Sequence, residues 1–410
     1  MAASAAHDAR GAVRAGLRGI ASLACGLVFA ALSSVLPSGL HAQDLPPVSP
    51  EVLGSAIDDL GRLDYAVRSK AAQVVRRAPA AQAVPALIQA VTEHADGYVR
   101  FRALVLLAGF NDLRAEDLMR ALVDDPNDRL REVAYAWFEA HPQADMAPVL
   151  LARLDKELAE FVRPALVRAL ASLGRTETSV RSTLVREVGR GQDFFRSAVI
   201  EALGDYGATY AVEALTEVAS LDGPLRPDAV LALGRLGDKR ALAVFSELQR
   251  TAPREVQPTI ASAICLLGVN CASHRRYLRE TFDFALRNLG YQPLLRAAVA
   301  GLAELAASGD DEAWTTLVDR GIPSRDPERA PVALGLGKVA LRNTPFVLGA
   351  LETVADLDGA VDLLREAFDM LEEDFEEERF FVTVRRTYWR SPHGSAARRI
   401  AETLITRLEF

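Results

Sequence analysis

Histidine and cysteine are scarce in this chain, and their scarcity narrows the chemistry it can perform. The sequence includes six histidines and three cysteines in a chain of 410 residues. Beyond the N-terminal segment 1–42 only His94, His141, His274 and His393 remain, and no two of them share a helical i,i+4 spacing. None is followed by glutamate, so the ligand sets typical of zinc and di-iron sites are missing. We therefore predict no metal, no cofactor and no catalytic residue.

Nucleotide-binding and nucleophile motifs are also lacking. The sequence contains no P-loop and no Gly-x-Ser-x-Gly elbow. The segment GLGKVA at 335–340 has the glycine spacing of a dinucleotide fingerprint, but that motif requires a preceding β-strand. No apolar run alternates with period two, so we expect no sheet, and we interpret these glycines as helix-packing positions.

An excess of positive charge is missing as well. The chain has a formal net charge of −8, and without the segment 1–42 the charge would be −10. Nucleic-acid binding depends on basic residues that neutralise phosphates. We therefore predict that the partner is no nucleic acid.

One short phrase recurs along most of the chain, and its clearest copy is LRPDAVLALGRLGD at 225–238. When each copy is aligned on its arginine or the equivalent residue, the period is roughly 30–40 residues, a range typical of solenoids. Each unit of a solenoid buries its apolar face against a neighbour. The aligned anchors are Arg68, Arg100, Arg131, Arg163, Arg196, Arg226, Gln257, Leu295, Arg329 and Leu364.

Each copy predicts a helix that is buried along one face. Positions +3, +6, +7 and +10 from the anchor are small or apolar in nearly every copy, as in Ala229, Ala232, Leu233 and Leu236. Another apolar helix follows, so each repeat is a helix-turn-helix pair. An acid before the anchor predicts an N-cap, and a glycine at +11 predicts a C-terminus with positive φ. The acids are Asp96, Asp128, Asp193 and Asp222, and the glycines are Gly174, Gly207, Gly237 and Gly268.

The phrase, extended over 225–248, resembles the HEAT repeat, and it is most similar to the short bacterial variety often called phycocyanobilin-lyase-like. The resemblance implies an all-α fold, a right-handed α-solenoid of about eleven helix-turn-helix repeats. We expect regular repeats over 51–268 and divergent repeats over 269–410, with an insertion after Gln257. Stacked at normal interhelical distances, these repeats would make one elongated unit of roughly 100 Å.

The segment 1–42 has the layout of a signal peptide that precedes the solenoid. Three arginines precede an apolar run over 19–36, and Leu40-His41-Ala42 provides a site for cleavage before Gln43. We expect residues 43–50 to form an exposed linker. The chain would then be exported to the periplasm or secreted. The alternative is that the run 19–36 stays uncleaved as a membrane anchor, since its length is borderline for spanning.

Two local features allow more than one interpretation. Cys265 and Cys271 flank a predicted repeat turn, where an oxidising compartment would favour a disulfide, whereas Cys265 also suits a small core position. The segment 372–378 consists of acids except for one phenylalanine. We expect a solvated turn between helices there, and the alternative is a docking site for a basic partner.

In HEAT arrays the helix with the anchor phrase lines the concave side, with positions +2, +5 and +9 exposed there. These rows contain no basic stripe and no group of catalytic residues. A small, mixed and moderately apolar groove suits a protein segment laid along it. We expect ion pairs between Arg168 and Glu201 and between Asp205 and Arg235. The predicted partner contacts are Arg102, Val105, Val133, Arg168, Glu201, Leu231 and Arg235.

The sequence therefore predicts an exported, non-enzymatic interaction scaffold whose protein partner the sequence does not identify. Two alternatives belong to other classes: an enzyme that resembles the bilin lyases, and a nucleic-acid-handling protein similar to the HEAT-like DNA glycosylases. A third alternative, a membrane-tethered adaptor arm, would change the location of the scaffold and not its mechanism.

Overall fold

The structure, a computed structural model, describes residues 47–371 and 374–410, and these residues form α-helices without any β-strand. The predicted signal peptide lies outside the described residues, as does the linker up to residue 46. Short 3₁₀ turns precede α5, α7, α11, α13 and α16. The helices are α1 (Pro50–Asp59), α2 (Tyr65–Arg77), α3 (Ala80–Glu93), α4 (Gly97–Phe110), α5 (Glu116–Leu122), α6 (Asp128–Ala140), α7 (Ala147–Leu154), α8 (Arg163–Leu173), α9 (Thr178–Glu187), α10 (Asp193–Asp205), α11 (Val212–Ser220), α12 (Arg226–Arg235), α13 (Leu242–Thr251), α14 (Gln257–Leu266), α15 (Cys271–Arg287), α16 (Gln292–Ala307), α17 (Asp311–Gly321), α18 (Arg329–Arg342), α19 (Thr344–Leu351), α20 (Leu357–Leu371), α21 (Asp374–Arg390) and α22 (Ala396–Arg407).

The helices alternate between two layers, as the repeat predicts. All ten anchor positions fall in the even-numbered helices from α2 to α20, which we call the inner helices. Each inner helix packs against the next inner helix, and the odd-numbered outer helices from α1 to α19 cover them. The insertion predicted after Gln257 lengthens the outer helix α15 to 17 residues. None of the helices in the described part is long and apolar enough to cross a membrane.

The predicted apolar stripe forms the interior. Ala229, Ala232 and Leu233 have no exposed surface, and Leu236 is buried as well. The same positions in the copies anchored at Arg163 and Arg196 are buried or half-buried. The spacing of small and apolar residues in the sequence is therefore confirmed as the packing face.

In several copies the anchor arginine binds backbone carbonyls near the C-terminal end of the preceding outer helix. Arg131 donates to the carbonyl of Asp125 at 2.8 Å and pairs with Glu157 at 2.6 Å. Arg329 likewise donates to the carbonyl of Ile322 at 2.9 Å and pairs with Glu366 of α20. A cation near a helix C-terminus satisfies carbonyls that lack a helical partner. In these two copies the anchor arginine therefore joins consecutive repeats.

The predicted helix ends are confirmed in part. Asp96 caps α4 through the Tyr98 N–H, but Asp128 and Asp193 lie one residue inside their helices, and Asp222 pairs with Arg226 instead. Glycines 207, 237 and 268 have positive φ as predicted. Gly174 is helical, with φ −58°, so the prediction of positive φ is wrong there.

The array does not extend as an elongated unit, because its ends meet. Helix α21 packs against α4, and Gln73 of α2 donates to the carbonyl of Glu409 at 2.7 Å. A reason for the curvature lies between neighbouring inner helices, where glycine faces the backbone of the next helix. A Cβ on Gly204 would lie 2.8 Å from the Ala232 Cα, and one on Gly234 would lie 2.7 Å from the Ala263 Cα. Inner helices that approach so closely bend the stack toward the concave side.

Candidate functional site

Six charged side chains from the inner helices meet on the concave side, and we call them the central charge network. Asp205 of α10 accepts from Arg168 at 2.8 Å, Arg235 at 3.1 Å and Arg342 at 2.9 Å. Helices α10 and α18, which carry Asp205 and Arg342, are separated by three other inner helices. That reach shows that the inner helices line the concave side. The network consists of Glu139, Arg168, Asp205, Arg235, Glu304 and Arg342.

The carboxylates of the network are bound on several sides. Glu304 pairs with Arg235 at 2.5 Å and with Arg342 at 2.7 Å. Glu139 accepts from Arg168 at 2.9 Å and from the Tyr206 hydroxyl at 2.6 Å. Three carboxylates therefore face three guanidinium groups, and the network is electrically balanced. Such an arrangement holds helices together and leaves no unpaired group within the network to bind an ion.

The neighbouring charges set the ionisation of the network. Burial would raise the pKa of Asp205, but Arg342 and Arg235 hold that pKa below its ordinary value. Burial acts on Glu304 in the same direction, and the guanidinium groups of Arg235 and Arg342 outweigh it, so the pKa of Glu304 is lowered too. Both groups are therefore ionised at neutral pH, and they have no tendency to transfer protons there.

Two acids next to the network, Glu201 and Asp228, have raised instead of lowered pKa values. The surrounding inner helices shield Glu201 from part of the solvent and raise its pKa, and the charge of Asp228 raises it further. Burial also raises the pKa of Asp228, although the Ser197 hydroxyl donates to its carboxylate at 2.7 Å. Glu201 is exposed and makes no hydrogen bond or ion pair with any described residue. Lys338 of α18 is likewise exposed and makes neither. We call Glu201, Asp228 and Lys338 the open charged set.

The structure brings four of the seven predicted contact residues to this region. Arg168 and Arg235 belong to the central charge network, Glu201 belongs to the open charged set, and Leu231, half-buried, lies on α12 between Asp228 and Arg235. As partner contacts these four stay predictions. The expected pair of Asp205 with Arg235 is confirmed at 3.1 Å. The expected pair of Arg168 with Glu201 is wrong, because Glu139 and Asp205 bind both sides of the Arg168 guanidinium.

The other three predicted contacts lie in the first repeats. Val105 is 4% exposed and Val133 is 1% exposed, and both belong to the hydrophobic core. They offer no surface to a partner in this form of the chain, which corrects the expectation of a moderately apolar groove there. Arg102 is half-buried, and its guanidinium lies 5.7 Å from the ring centroid of Tyr98.

Sequence reasoning missed Glu139, Glu304 and Arg342. Glu304 does lie at position +9 from the anchor Leu295, so it continues the row that ends in Asp205 and Arg235. Extending that row past the insertion would have found it. Arg342 lies outside the repeat rows, at the last position of α18, and only the closure of the array brings it to Asp205.

Cys265 and Cys271 lie at the turn between α14 and α15. Their Cα atoms are 4.3 Å apart, and their sulfur atoms lie at bonding distance. The Asp310 carboxylate is close enough to form a three-ligand group with them. Sulfurs joined in a disulfide are not available as thiolate ligands, and Asp310 already pairs with Arg275 at 2.6 Å and caps α17. The disulfide, one of the two interpretations of these cysteines, stays a prediction, and the chemistry of these donors does not favour a metal.

The glycines of the GLGKVA segment pack helices, as the sequence analysis predicts. They lie within α18, with no strand before them in the part of the chain that the structure describes. A Cβ on Gly335 would lie 2.7 Å from Val299, and one on Gly337 would lie 2.6 Å from Ala367. Close contact with α16 and α20 explains the small residues.

Comparisons with known proteins bear on the fold. The family model described as HEAT repeats matches residues 51–138 and 84–171. No protein of curated function matches the chain. The similar solved structures include a protein of Escherichia coli titled YIBA_ECOLI, with 18% identity over 54% of this chain and 82% of its own, at TM-score 0.39.

Two further structures are similar to longer parts of the chain. Importin beta shares 13% identity over 88% of this chain and 65% of its own, at TM-score 0.39. The complex of CpcE and CpcF of phycocyanin lyase from Nostoc sp. PCC7120 shares 18% identity over 80% of this chain and 96% of its own, at TM-score 0.24. The match of the family model identifies residues 51–171 as HEAT repeats, and the same alternation of inner and outer helices continues through α20.

Proposed function

We propose that this protein is an exported, non-catalytic scaffold that binds a protein partner on the concave side of its HEAT repeats. The observation that carries the proposal is the contrast between the central charge network and the open charged set. The six charges of the network pair with one another, whereas Glu201 and Lys338 stay exposed without a hydrogen bond or ion pair to a described residue.

Two further observations support a macromolecular partner. Glu201 and Asp228 keep raised pKa values, so their ionised forms are held at a cost that a cationic partner group would reduce. Leu231 lies one helical turn from Asp228 and supplies apolar surface next to the charges. Charged positions beside an apolar one are typical of a surface that recognises a polypeptide. The location of the protein outside the cytoplasm is proposed from the signal-like segment 1–42 alone.

The test is capture of the partner from an envelope fraction by the full chain, with charge reversals at the proposed surface. Glu201→Lys and Lys338→Glu should each reduce capture of a given protein at least tenfold, because like charges would then face the partner. Glu217→Lys and Lys239→Glu are matched controls, since both residues are exposed away from the concave side. Equal capture by all five proteins would overturn the proposal.

A further inference from the structure

Helix α21, next to last in the chain, closes the array on its first repeats, and we call this contact the seam. Arg76 of α2 donates from Nε to both oxygens of Glu378, at 3.0 Å each, and from Nη2 at 2.5 Å. Arg385 donates to the backbone carbonyl of Arg76. The Arg76 guanidinium also lies 5.3 Å from the ring centroid of Phe381. The sequence prediction of a solvated turn is therefore wrong for residues 374–378, which begin this helix.

The seam is held mainly by charged and polar groups. The side chains of Arg76 and Glu378 are only 12% and 3% exposed. Burial and the charge of Arg76 together lower the pKa of Arg385 to about 10. Ser69 and Gln73 add hydrogen bonds to the carbonyl of Glu409. Buried ion pairs stabilise a contact less than apolar packing does and often serve to specify one arrangement.

The apolar interior, by contrast, falls into two parts. One hydrophobic cluster runs from Leu53 to Leu267, and the other runs from Ala261 to Phe410. Both include residues of α14, so this helix joins the two lobes. On the concave side the lobes are joined by ion pairs of Arg235 with Glu304 and of Arg342 with Asp205. Phe375 is the apolar residue of α21 that packs on the N-terminal cluster.

We propose that α21 is a gate on the concave side. The two lobes open at the seam by movement about α14, and the opening uncovers the concave surface of α2 and α4. That surface suits an acidic helix that carries an aromatic side chain, because Arg76 binds the Glu378 carboxylate and lies over the Phe381 ring. The seam opens or stays closed whether or not a partner is present, so the gate can be tested without an identified partner.

Gly109 of α4 offers a way to open the seam without removing a charge. A Cβ at Gly109 would lie 2.8 Å from Cγ of Glu378, so leucine there would displace α21. Gly109 lies inside a helix, and leucine favours helix more than glycine does. Gly54→Leu is the matched control, since Gly54 is also helical and has nothing within 4 Å of its Cβ position.

The first measurement combines amide hydrogen exchange with small-angle X-ray scattering on the full chain. In Gly109→Leu and in Glu378→Ala, exchange should rise at least tenfold in α2, α4, α21 and α22 and stay unchanged in α8 to α12. The radius of gyration should increase, and Gly54→Leu should match the wild type. An unchanged radius, or faster exchange along the whole chain, would overturn the gate.

The second measurement tests the uncovered surface with a synthetic peptide that spans positions 374–390. The peptide should bind the Glu378→Ala chain at least tenfold more tightly than the wild-type chain, whose own α21 competes for Arg76. A peptide that carries Glu378→Ala should lose that binding. Equal binding of both peptides would show that Arg76 does not recognise the carboxylate, and the proposed helix specificity would be wrong. This experiment uses no captured partner, so its failure leaves the capture experiment untouched.

Discussion

At the residue scale, the anchor arginine and the concave carboxylates show two different uses of charge. The anchor Arg131 sits among carbonyls and a buried carboxylate, where every donor has an acceptor nearby. Glu201 lies exposed next to another acid and makes no ion pair with a described residue. The first arrangement stabilises the fold, whereas the second reduces stability and is typical of a surface kept for binding.

The ion pair between the anchor Arg131 and Glu157 predicts a large loss of stability when it is broken. Arg131→Ala should lower the free energy of unfolding by about 3–5 kcal/mol, because the Glu157 side chain, which has no exposed surface, would lose its strongest partner. Burial alone would raise the pKa of Glu157, and Arg131 with the Ala159 N–H holds that pKa below its ordinary value. Urea unfolding followed by circular dichroism would measure the change. Arg62→Ala, at the exposed pair with Asp59, should change stability by no more than about 1 kcal/mol.

The open charged set predicts a gain in stability when one of its charges is removed. Glu201→Gln should raise the free energy of unfolding at pH 7 by up to about 1 kcal/mol, because it removes an ionised carboxylate that burial and Asp228 both disfavour. Thermal unfolding at pH 7 would show the gain. Glu217→Gln, on an outer helix, is the control and should have little effect. A loss of stability in Glu201→Gln would contradict the assignment of Glu201 as an unpaired charge.

At the element scale, the distance between inner helices depends on glycine opposite alanine. Gly234 at position +8 faces Ala263 at position +6 of the next inner helix, and its missing Cβ lets the two backbones touch. The interior of a helix normally favours alanine over glycine by about 1 kcal/mol. Here the gain in helix propensity competes with a clash against backbone, which cannot swing away as a side chain can.

The clash should win, so Gly234→Ala is expected to destabilise the chain by about 1–3 kcal/mol. Gly349→Ala is the matched control, because Gly349 also lies within a helix and its Cβ position is open. That control should be neutral or slightly stabilising, by up to about 1 kcal/mol. Chemical unfolding of both variants would compare the two terms directly, and a stabilised Gly234→Ala would contradict the close approach.

The elements themselves could be predicted from the sequence because the repeat encodes local contacts. The period located all ten inner helices, and the 3,4-spaced stripe identified their buried faces. The predicted N-caps at Asp128 and Asp193 were displaced by one residue, since Asn127 and Gln192 take the cap position. The acidic residues of 374–378 suggested a solvated turn. The sequence alone does not show that Glu378 will be buried against Arg76, which lies near the other end of the chain.

At the scale of the whole molecule, the closure of the array on itself creates contacts that the sequence does not predict. Glu201 at position +5 and Asp205 at position +9 do face the concave side, whereas Val105, also at +5, is buried in the core. Whether the residues that face the concave side meet across it depends on the curvature of the array. That curvature is the sum of small contributions from the spacing of each pair of neighbouring inner helices. Arg342 shows the consequence, because it lies outside the rows at +5 and +9 and still binds Asp205. Long-range pairs of this kind follow from the assembled array and not from any single repeat.

Closure also brings together carboxylates with opposite pKa shifts, and this predicts the pH dependence of stability. The raised pKa values of Glu201 and Asp228 mean that their contribution to stability grows as the pH falls from neutral through those values. The lowered pKa values of Asp205 and Glu304 act in reverse. Their contribution is complete above the ordinary values of 3.8 and 4.5, and it disappears as the pH falls through the lowered values.

The two effects together place the maximum of stability at mildly acidic pH rather than at pH 7. Unfolding temperatures measured by calorimetry across the acidic and neutral range should rise as the pH falls from 7 and then decrease below the ordinary carboxyl range. In the double variant Glu201→Gln with Asp228→Asn, the initial rise should shrink while the decrease at lower pH remains, since the central charge network is intact. A maximum that stays in place would mean that other acids set the pH dependence, and that Glu201 and Asp228 titrate normally in the folded chain.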